Sequence, residues 1–524
     1  MSHSVKYSLF FLIIVAAGGL VRFIRTDMRP MHSDESVNAF KFGILLESGD
    51  YRYDKTEYHG PILYYSTFLP ALLKGQRSYA SLDESTLRMV PAFFGLLFLT
   101  LLLLLLRELK WEYVLMTGAL IAVAPGLVFY NRYYIHESLL TFFSYAFIFS
   151  AFRYLQERKV VWMVLTGVCI GLMHATKETC VINYAVFAIS LLITIMLKRR
   201  AGERAVKHSI PVRIRHVLIA LLSATVISML FFSSFFSHPK GIVDSVTSYA
   251  NYFERAGTDV AHIHPWYFYL SILFLPGGIE GFFGTEIWLL ITFVAGFVLL
   301  LVKRERDQSE YLLIFIGLYG IILLLIYSLI PYKTPWNLLQ FYPGMLFLSG
   351  YGIIRIIRII SGKRLKLAIL AILILGACHW AWTSMQLNFR YYTEPGNPYV
   401  YAQTGMDILQ VACEIERISS VHPEGHFIPI EVIFPEDEYW PLPWYLRDFP
   451  NTGFYSEVSF DQPAAPILII HPSVEKEVIR KLYEVPAPGE RHLYLALYDT
   501  YRELRPGVEV CTYVRKDVWD YCHR

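Results

Sequence analysis

The sequence predicts an all-α polytopic membrane bundle of about eleven transmembrane helices, followed by a small C-terminal α/β domain outside the membrane. Three observations carry that expectation. Of 524 residues, 55% are hydrophobic and only 17% charged, against about 25% charged in soluble domains. The mean hydropathy is +0.41. Apolar runs of about 20 residues, long enough to cross a hydrocarbon core about 30 Å thick, recur through most of the chain. The pattern then changes, and the tail alternates short strand-like and helical runs.

The expected spans are roughly 8–25, 89–106, 114–131, 138–154, 160–176, 180–197, 216–236, 284–302, 311–330, 338–358 and 366–386. With the N-terminus cytoplasmic, the inner loops hold Arg107, Lys110, Arg153, Arg158, Lys159 and the basic run from Lys198 to Arg215. They also hold Lys303, Arg304 and Arg306, then Arg355, Arg358, Lys363, Arg364 and Lys366. The short outer loops carry only Arg132, Lys177 and Lys333. This asymmetry is the positive-inside rule. It implies a multi-pass protein of the cell (inner) membrane with its C-terminal domain extracytoplasmic. The first apolar run is long and lacks a small-residue cleavage site, so it reads as an uncleaved signal anchor. Residues 265–278 are apolar but short. Counting them as a span would put Lys303–Arg306 outside, so they are expected at the interface or re-entrant. A net charge of +3 gives no reason to expect a nucleic-acid partner.

The expected domains are 1–389 and 390–524. In the tail, IPIEVIF, PILIIHP, HLYLALY and VEVCTYV read as strands; TGMDILQVACEIERI and SVEKEVIRKLY read as helices. Cys169, Cys180 and Cys378 lie in apolar segments as small buried side chains. Cys413, Cys511 and Cys522 belong to the tail, where a Cys511–Cys522 pair is one option that spacing alone does not decide. In the first outer loop, Val37, Phe40, Ile44 and Leu45 repeat with helical spacing after Ser33, a plausible N-cap. A second surface helix is expected over Pro61–Leu73.

Ionisable residues cluster where the outer loops meet the membrane. Asp34 and Glu35, after His32 and Ser33, start the first surface helix, as functional carboxylates or as ordinary first-turn acids. Glu57 and His59 precede Pro61. Arg132, His136 and Glu137 lie at the mouth of two spans, and snorkelling plus helix capping is the plainer alternative. Lys177-Glu178 occupies a tight turn, either as a functional pair at membrane depth or as an ion pair fixing the turn. His262 and His264 have a spacing that can ligate a metal but lack a matching carboxylate. Lys333, between Pro331 and Pro335, reads as a positioned anion binder or an interface anchor. All of these fall on one side of the membrane, while the span interiors are nearly free of charge. A transport pathway instead puts ionisable groups at mid-membrane.

The order of the strings MHSDESVNAF, EYHGPILYY, NRYYIHESLL, HATKET, PYKTPWNLL and PLPWYLRDFP resembles the GT-C superfamily of membrane glycosyltransferases. It is most similar to the branch with the protein O-mannosyltransferases and lipid A aminoarabinose transferases, and closer still to the prokaryotic flippase-associated membrane proteins. The resemblance implies an inverting transferase that takes a sugar from a polyisoprenyl-phosphate donor at the outer leaflet. The acceptor hydroxyl belongs to a glycan, lipid or protein that the sequence does not name. By resemblance Asp34 is the base, with Glu35 the second acid of its pair. Arg132 and Glu137 match the second-loop pair. Lys333, with Arg132 and Lys177, would meet the donor phosphate. Where aminoarabinose transferases carry Glu-Lys-Pro, this chain has Glu57-Tyr58-His59-Gly60-Pro61. Glu57 and His59, like His262 and His264, are therefore candidates for a divalent metal. The alternatives are a non-catalytic lipid-linked-glycan partner of an export system, and a transporter.

Overall fold

The computed structural model describes residues 3–56, 59–200, 212–258, 262–303 and 305–522. Glu57 lies outside them. In chain order the helices are α1 His3–Phe23, α2 Ser33–Ser48, α3 Ile62–Leu73, α4 Glu84–Leu101, α5 Trp111–Val123, α6 Pro125–Tyr130, α7 Glu137–Glu157 and α8 Val160–His174. Then come α9 Cys180–Arg200, α10 Ile214–Phe232, α11 Lys240–Thr258, α12 Phe268–Phe274, α13 Ile287–Val302, α14 Gln308–Leu329, α15 Leu338–Ile359 and α16 Lys363–Phe389. The tail adds α17 Asp407–Val421, α18 Leu442–Tyr445, α19 Glu475–Tyr483 and α20 Lys516–Cys522. Among the described residues, 7 helices are long and apolar enough to cross a membrane by themselves: α1, α4 with its 3-10 extension, α7, α9, α10, α14 and α16. Shorter apolar helices include α5, α8 and α13.

The chain divides into two compact units. One comprises Met1–Thr26, Gly49–Lys74 and Ser85–Tyr401; the other comprises Asp27–Ser48, Gly75–Glu84 and Ala402–Arg524. The helix that begins with the acidic pair, α2, thus belongs to the unit built around the tail.

The first unit is the helical bundle. Large apolar side chains such as Leu12, Leu222 and Leu375 are more than half exposed, as lipid-facing positions require when lipid, not water, is the solvent. Inside, helices approach closely through small residues. A Cβ on Gly352 of α15 would sit 2.8 Å from the Gly296 Cα of α13, so any side chain there would force the two apart. The run expected as one span over 114–131 is broken between α5 and α6. Ala124 takes φ −57°, ψ 118°, the extended ψ that a residue before proline favours. The stretch 265–278 contains only the 7-residue α12, too short to span.

The second unit is α/β. Its strands are β1 Ile430–Ile433, β2 Thr452–Tyr455, β3 Ile467–Ile470, β4 Tyr494–Ala496, β5 Arg502–Arg505 and β6 Val508–Arg515. Sheet order is β2-β1-β3-β6-β4, with β5 also paired to β6. β1 is parallel to β2 and β3, and β6 is antiparallel to β3, β4 and β5. Every residue of β1 and β3 is buried; β3 accordingly reads as a continuous apolar run, while the one acid of β1, Glu431, pairs with Lys481 at 2.7 Å. One face packs Ile408, Val411 and Ile415 of α17 against Ile430, Ile467 and Val510. The other packs Val478 and Leu482 of α19 against Leu468, Ile470 and Cys511. β2 and β5 were not expected: TGFY and RELR carry little apolar alternation. All six cysteines are free. Cys511 lines the core, while the Cys522 sulfur lies 3.9 Å from the Val518 carbonyl.

Candidate functional site

In the tail-centred unit, α2 is anchored by its start. The Met31 N–H donates to the Tyr445 hydroxyl at 2.8 Å, Thr404 Oγ1 to the Met31 carbonyl at 2.6 Å and Gln403 Nε2 to the Pro30 carbonyl at 3.0 Å. Ser33 Oγ donates to the Trp440 carbonyl at 3.3 Å. The MHSDES string is thus bound to the PLPWY string, about 400 residues away in sequence. Ser33 is not the cap that its residue type suggested. His32 takes that role: its Nδ1 accepts from the Asp34 N–H at 3.1 Å, and the Glu35 carboxylate accepts the His32 N–H at 3.0 Å. This reciprocal arrangement satisfies two donors that a helix start leaves open.

The two acids consequently diverge. Glu35 is fully buried as part of the cap. The Asp34 side chain is 51% exposed. Because His32 Nδ1 accepts from a backbone N–H, the ring has no proton to offer Asp34 from that atom. The expected apolar stripe also splits: Leu45 packs inward with Ala39 and Phe42, whereas Phe40 and Ile44 are 39% and 42% exposed.

In the helical unit, the loop before α3 and the turn after α8 are stitched together. Gly60 N donates to the Thr176 carbonyl and Ile62 N to the Ala175 carbonyl, both at 3.1 Å. A Cβ at Gly60 would overlap the Ala175 carbonyl, so the approach requires glycine. This brings His59 Nδ1 to 2.7 Å from Glu178 Oε2, while the Tyr53 hydroxyl donates to Oε1 at 3.1 Å. Burial works to raise the Glu178 carboxyl. The His59 ring, the Glu178 backbone and Lys177 outweigh it and hold the group below its ordinary value. Lys177 does not pair with Glu178. It reaches back to Glu137 at the start of α7, and both side chains are under 8% exposed. Burial works against the Lys177 charge, but Glu137 outweighs it and holds the ammonium above its ordinary value. His136 Nε2 lies 3.0 Å from the Gly60 carbonyl, so that nitrogen carries the proton. Burial, then His59 and Lys177, push His136 well below its ordinary value and keep it neutral. The His59 and His136 rings meet edge to face at 5.2 Å.

The other expected cations serve the backbone. Arg132 is 4% exposed. It donates to the carbonyls of Val21, Ile24 and Arg25 at 3.0, 2.6 and 2.8 Å, and its guanidinium stacks 4.5 Å from the Phe389 ring centroid. It therefore caps the end of α1, where unpaired carbonyls and the helix dipole favour a cation. Lys333, 1% exposed, donates to the carbonyls of His264, Ile330 and Pro331 at 2.9, 2.5 and 3.5 Å. Its three N–H groups are taken, so the anion-binding expectation is not met by this arrangement. Burial lowers its pKa. His262 and His264 converge on one hydroxyl, that of Tyr401, at 2.6 and 3.2 Å. A single O–H satisfies one ring, and the other ring donates to the oxygen. Among the described residues, no three His, Cys, Asp or Glu side chains gather as a metal site.

Sequence reading missed Tyr53, which carries no local signal, and Glu286. Glu286 is buried at the start of α13 and accepts from Tyr342, Tyr399 and, at 3.0 Å, Trp380 Nε1. It ties α13 to α15, α16 and the segment after α16. A single acid opening an apolar run, TEIWLLITF, was the available cue.

Residues 64–238 match the family described as dolichyl-phosphate-mannose-protein mannosyltransferase (PMT). Among solved structures, ArnT from Cupriavidus metallidurans bound to undecaprenyl phosphate is similar, with a TM-score of 0.62 at 14% identity over 96% of this chain and 97% of that one. Its apo state gives a TM-score of 0.64 at 14% identity, covering 98% of each chain. The archaeal oligosaccharyltransferase AglB from Archaeoglobus fulgidus, in complex with an inhibitory peptide and a dolichol-phosphate, gives 0.53 at 12% identity over 98% of this chain and 77% of that one. No curated protein sequence matches the chain. The chain shares the fold of these structures, and a stretch within it matches the mannosyltransferase family.

Proposed function

We propose that this chain, with its GT-C fold and mannosyltransferase-family stretch, is an inverting glycosyltransferase that uses a polyisoprenyl-phosphate sugar at the outer face of a cell membrane. The observation that carries the reading is the divergence of Asp34 and Glu35. One carboxylate is spent on the cap that fixes the helix start. The other is held on that rigid turn, half exposed and not consumed by its neighbour. A positioned base needs both rigidity and a free acceptor oxygen.

In the proposed reaction, Asp34 takes the proton of the acceptor hydroxyl. The acceptor oxygen attacks the anomeric carbon, the bond from that carbon to the donor phosphate oxygen breaks, and the sugar inverts. The proton ends on Asp34 and the negative charge on the departing lipid phosphate. Fixed positive charge and hydrogen-bond donors lower the cost of that charge. For the donor end we propose the His59, Glu178 and Lys177 cluster. His59, its side chain 37% exposed, is the open member. Glu178 orients it in the way a carboxylate orients a catalytic histidine. Arg132 and Lys333 support the surrounding backbone. The acceptor is a glycan, lipid or protein hydroxyl.

In this reading the N-terminus is cytoplasmic and residues 390–524 are extracytoplasmic, supported by the bias of Lys and Arg toward the inner loops. The test is transfer of radiolabelled sugar from a panel of undecaprenyl- and dolichyl-phosphate sugars to membrane glycans, lipids and proteins. The proposal expects transfer that removal of the gene abolishes, with donor accumulating. Equal donor pools with and without the gene, and no transfer in vitro, would contradict it.

A further inference from the structure

In the helical unit, the link from α10 to α11 is strained. Ser234, Phe235 and Phe236 take φ of 50°, 56° and 71°, a left-handed run that any residue with a Cβ disfavours. It is held by Phe235 N donating to the Leu230 carbonyl and His238 N to the Ser233 carbonyl, both at 2.8 Å. Ser234 Oγ also donates to the Tyr51 carbonyl. The turn leaves Phe235 and Phe236 51% and 60% exposed. The chain then folds back so closely that a Cβ at Gly241 would overlap the Phe232 carbonyl.

α11 has its faces reversed for a helix in water. Such a helix buries an apolar stripe and exposes a polar one. In α11 Asp244, Ser245 and Ser248 are buried, whereas Val243 and Val246 are 62% and 64% exposed. Thr247 and Ala250 are exposed beside them, and helical spacing puts all four on one stripe. Thr247 Oγ1 donates to the Asp244 carbonyl at 3.3 Å, so its hydroxyl is satisfied without water. The inner face meets polar groups. The Ser248 hydroxyl lies beside the Tyr53 oxygen, which donates to Glu178. Tyr249 stacks on His174 with ring centroids 6.1 Å apart and holds its hydroxyl 3.7 Å from Cys180 Sγ.

We infer that α11 is an in-plane membrane helix: its Val243–Val246 stripe and the Phe235-Phe236 turn sit among the acyl chains of the leaflet that the end of α10 reaches, while its polar face roofs the Tyr53–Glu178 pair.

The occupant is lipid because the stripe continues a lipid-facing surface. α10 is long and apolar enough to cross a membrane, and it exposes Leu218, Leu222 and Val226. Beside the turn, Tyr65 of α3 packs against Phe231 and Phe235, and α3 exposes Leu69, Leu72 and Leu73. α3, the turn and α11 thus present apolar side chains around the same end of α10. Interfacial helices of this kind bury their apolar face about 5–10 Å into the boundary between headgroups and acyl chains. Lys240, at the start of α11, has an 87% exposed side chain, long enough to reach the headgroups from that depth. The inference holds whether or not the chain transfers sugar.

The test is power-saturation spin-label spectroscopy on the full chain in phosphatidylcholine–phosphatidylglycerol vesicles. In a Cys378→Ser, Cys413→Ser, Cys522→Ser background, single labels are placed by Phe236→Cys, Val243→Cys, Val246→Cys and Lys240→Cys. Oxygen concentrates among acyl chains and a nickel chelate in water. The ratio of oxygen to nickel accessibility should be several-fold higher at positions 236, 243 and 246 than at 240. If Phe236→Cys disturbs the turn, positions 243 and 246 decide, since both side chains point out of the fold. Equal nickel access at 240, 243 and 246 would make water the occupant and overturn the assignment. Exclusion of both reagents from 243 and 246, or dipolar broadening between copies, would make the occupant protein and overturn it as well.

Discussion

His59 and Glu178 face each other with Nδ1 2.7 Å from Oε2, although 119 residues separate them in sequence. The contact depends on backbone bonds between the loop at Gly60 and the turn at Ala175–Thr176, and the other Glu178 oxygen is occupied by Tyr53. Glu178→Gln keeps the shape but removes the charge that orients the ring. Transfer should fall about tenfold or more, near 1.4 kcal/mol of transition-state stabilisation, with the protein still folded. Full activity in this variant would remove His59 and Glu178 from the donor end.

Acid should destabilise the helical unit in two windows. His136 is held below its ordinary value of 6.5. Below 6.5 the unfolded chain binds a proton that the folded one refuses, so this contribution is complete above 6.5 and drains as the pH falls. Glu178 is held below its ordinary value of 4.5. Its contribution is complete above 4.5 and is lost as the pH falls through the folded value. Thermal unfolding should therefore decline below 6.5 and more steeply below 4.5. His136→Gln should flatten the first decline and Glu178→Gln the second; identical pH profiles for all three proteins would refute the assignment.

Arg132 is placed as a helix cap. Arg132→Ala should cost about 2 kcal/mol or more, since it strands buried carbonyls. Arg132→Lys should recover only part, because an ammonium lacks the planar fork. Unfolding temperatures check this. A variant of unaltered stability with a raised KM for donor would instead make Arg132 a phosphate ligand.

Gly60→Ala should destabilise by about 1–3 kcal/mol and uncouple His59 from Glu178 through the displaced loop. Thermal unfolding reads the first effect, and transfer assays read the second.

Much of the fold was legible because its signals are local. Each expected span rests on an apolar run that one helix or helix pair occupies, and β1, β3, β4 and β6 each carry enough apolar residues to be read alone. β2 and β5 are defined by their ladder partners, so TGFY and RELR were silent. At the candidate site the pairings were not legible. Lys177 and Glu178 are adjacent, which suggested a mutual ion pair. Adjacent residues in a turn diverge, and each found a partner more than 35 residues away. The same holds for Asp34 and Glu35: spacing marks an acidic helix start, and only the His32 geometry assigns the cap to one and leaves the other open. Arg132 was read as an anion binder from the resemblance, and Lys333 also from its place between Pro331 and Pro335. The backbone carbonyls that take their N–H groups have no sequence signature.

The central claim is that Asp34, and not Glu35, is the base. The most direct measurement compares purified Asp34→Asn and Glu35→Gln proteins for sugar transfer and thermal unfolding. The account predicts that Asp34→Asn unfolds like the unaltered chain and transfers no sugar. Glu35→Gln should lose about 1 kcal/mol of stability, as a broken cap does, and keep measurable transfer. Transfer at the normal rate by folded Asp34→Asn would contradict the account.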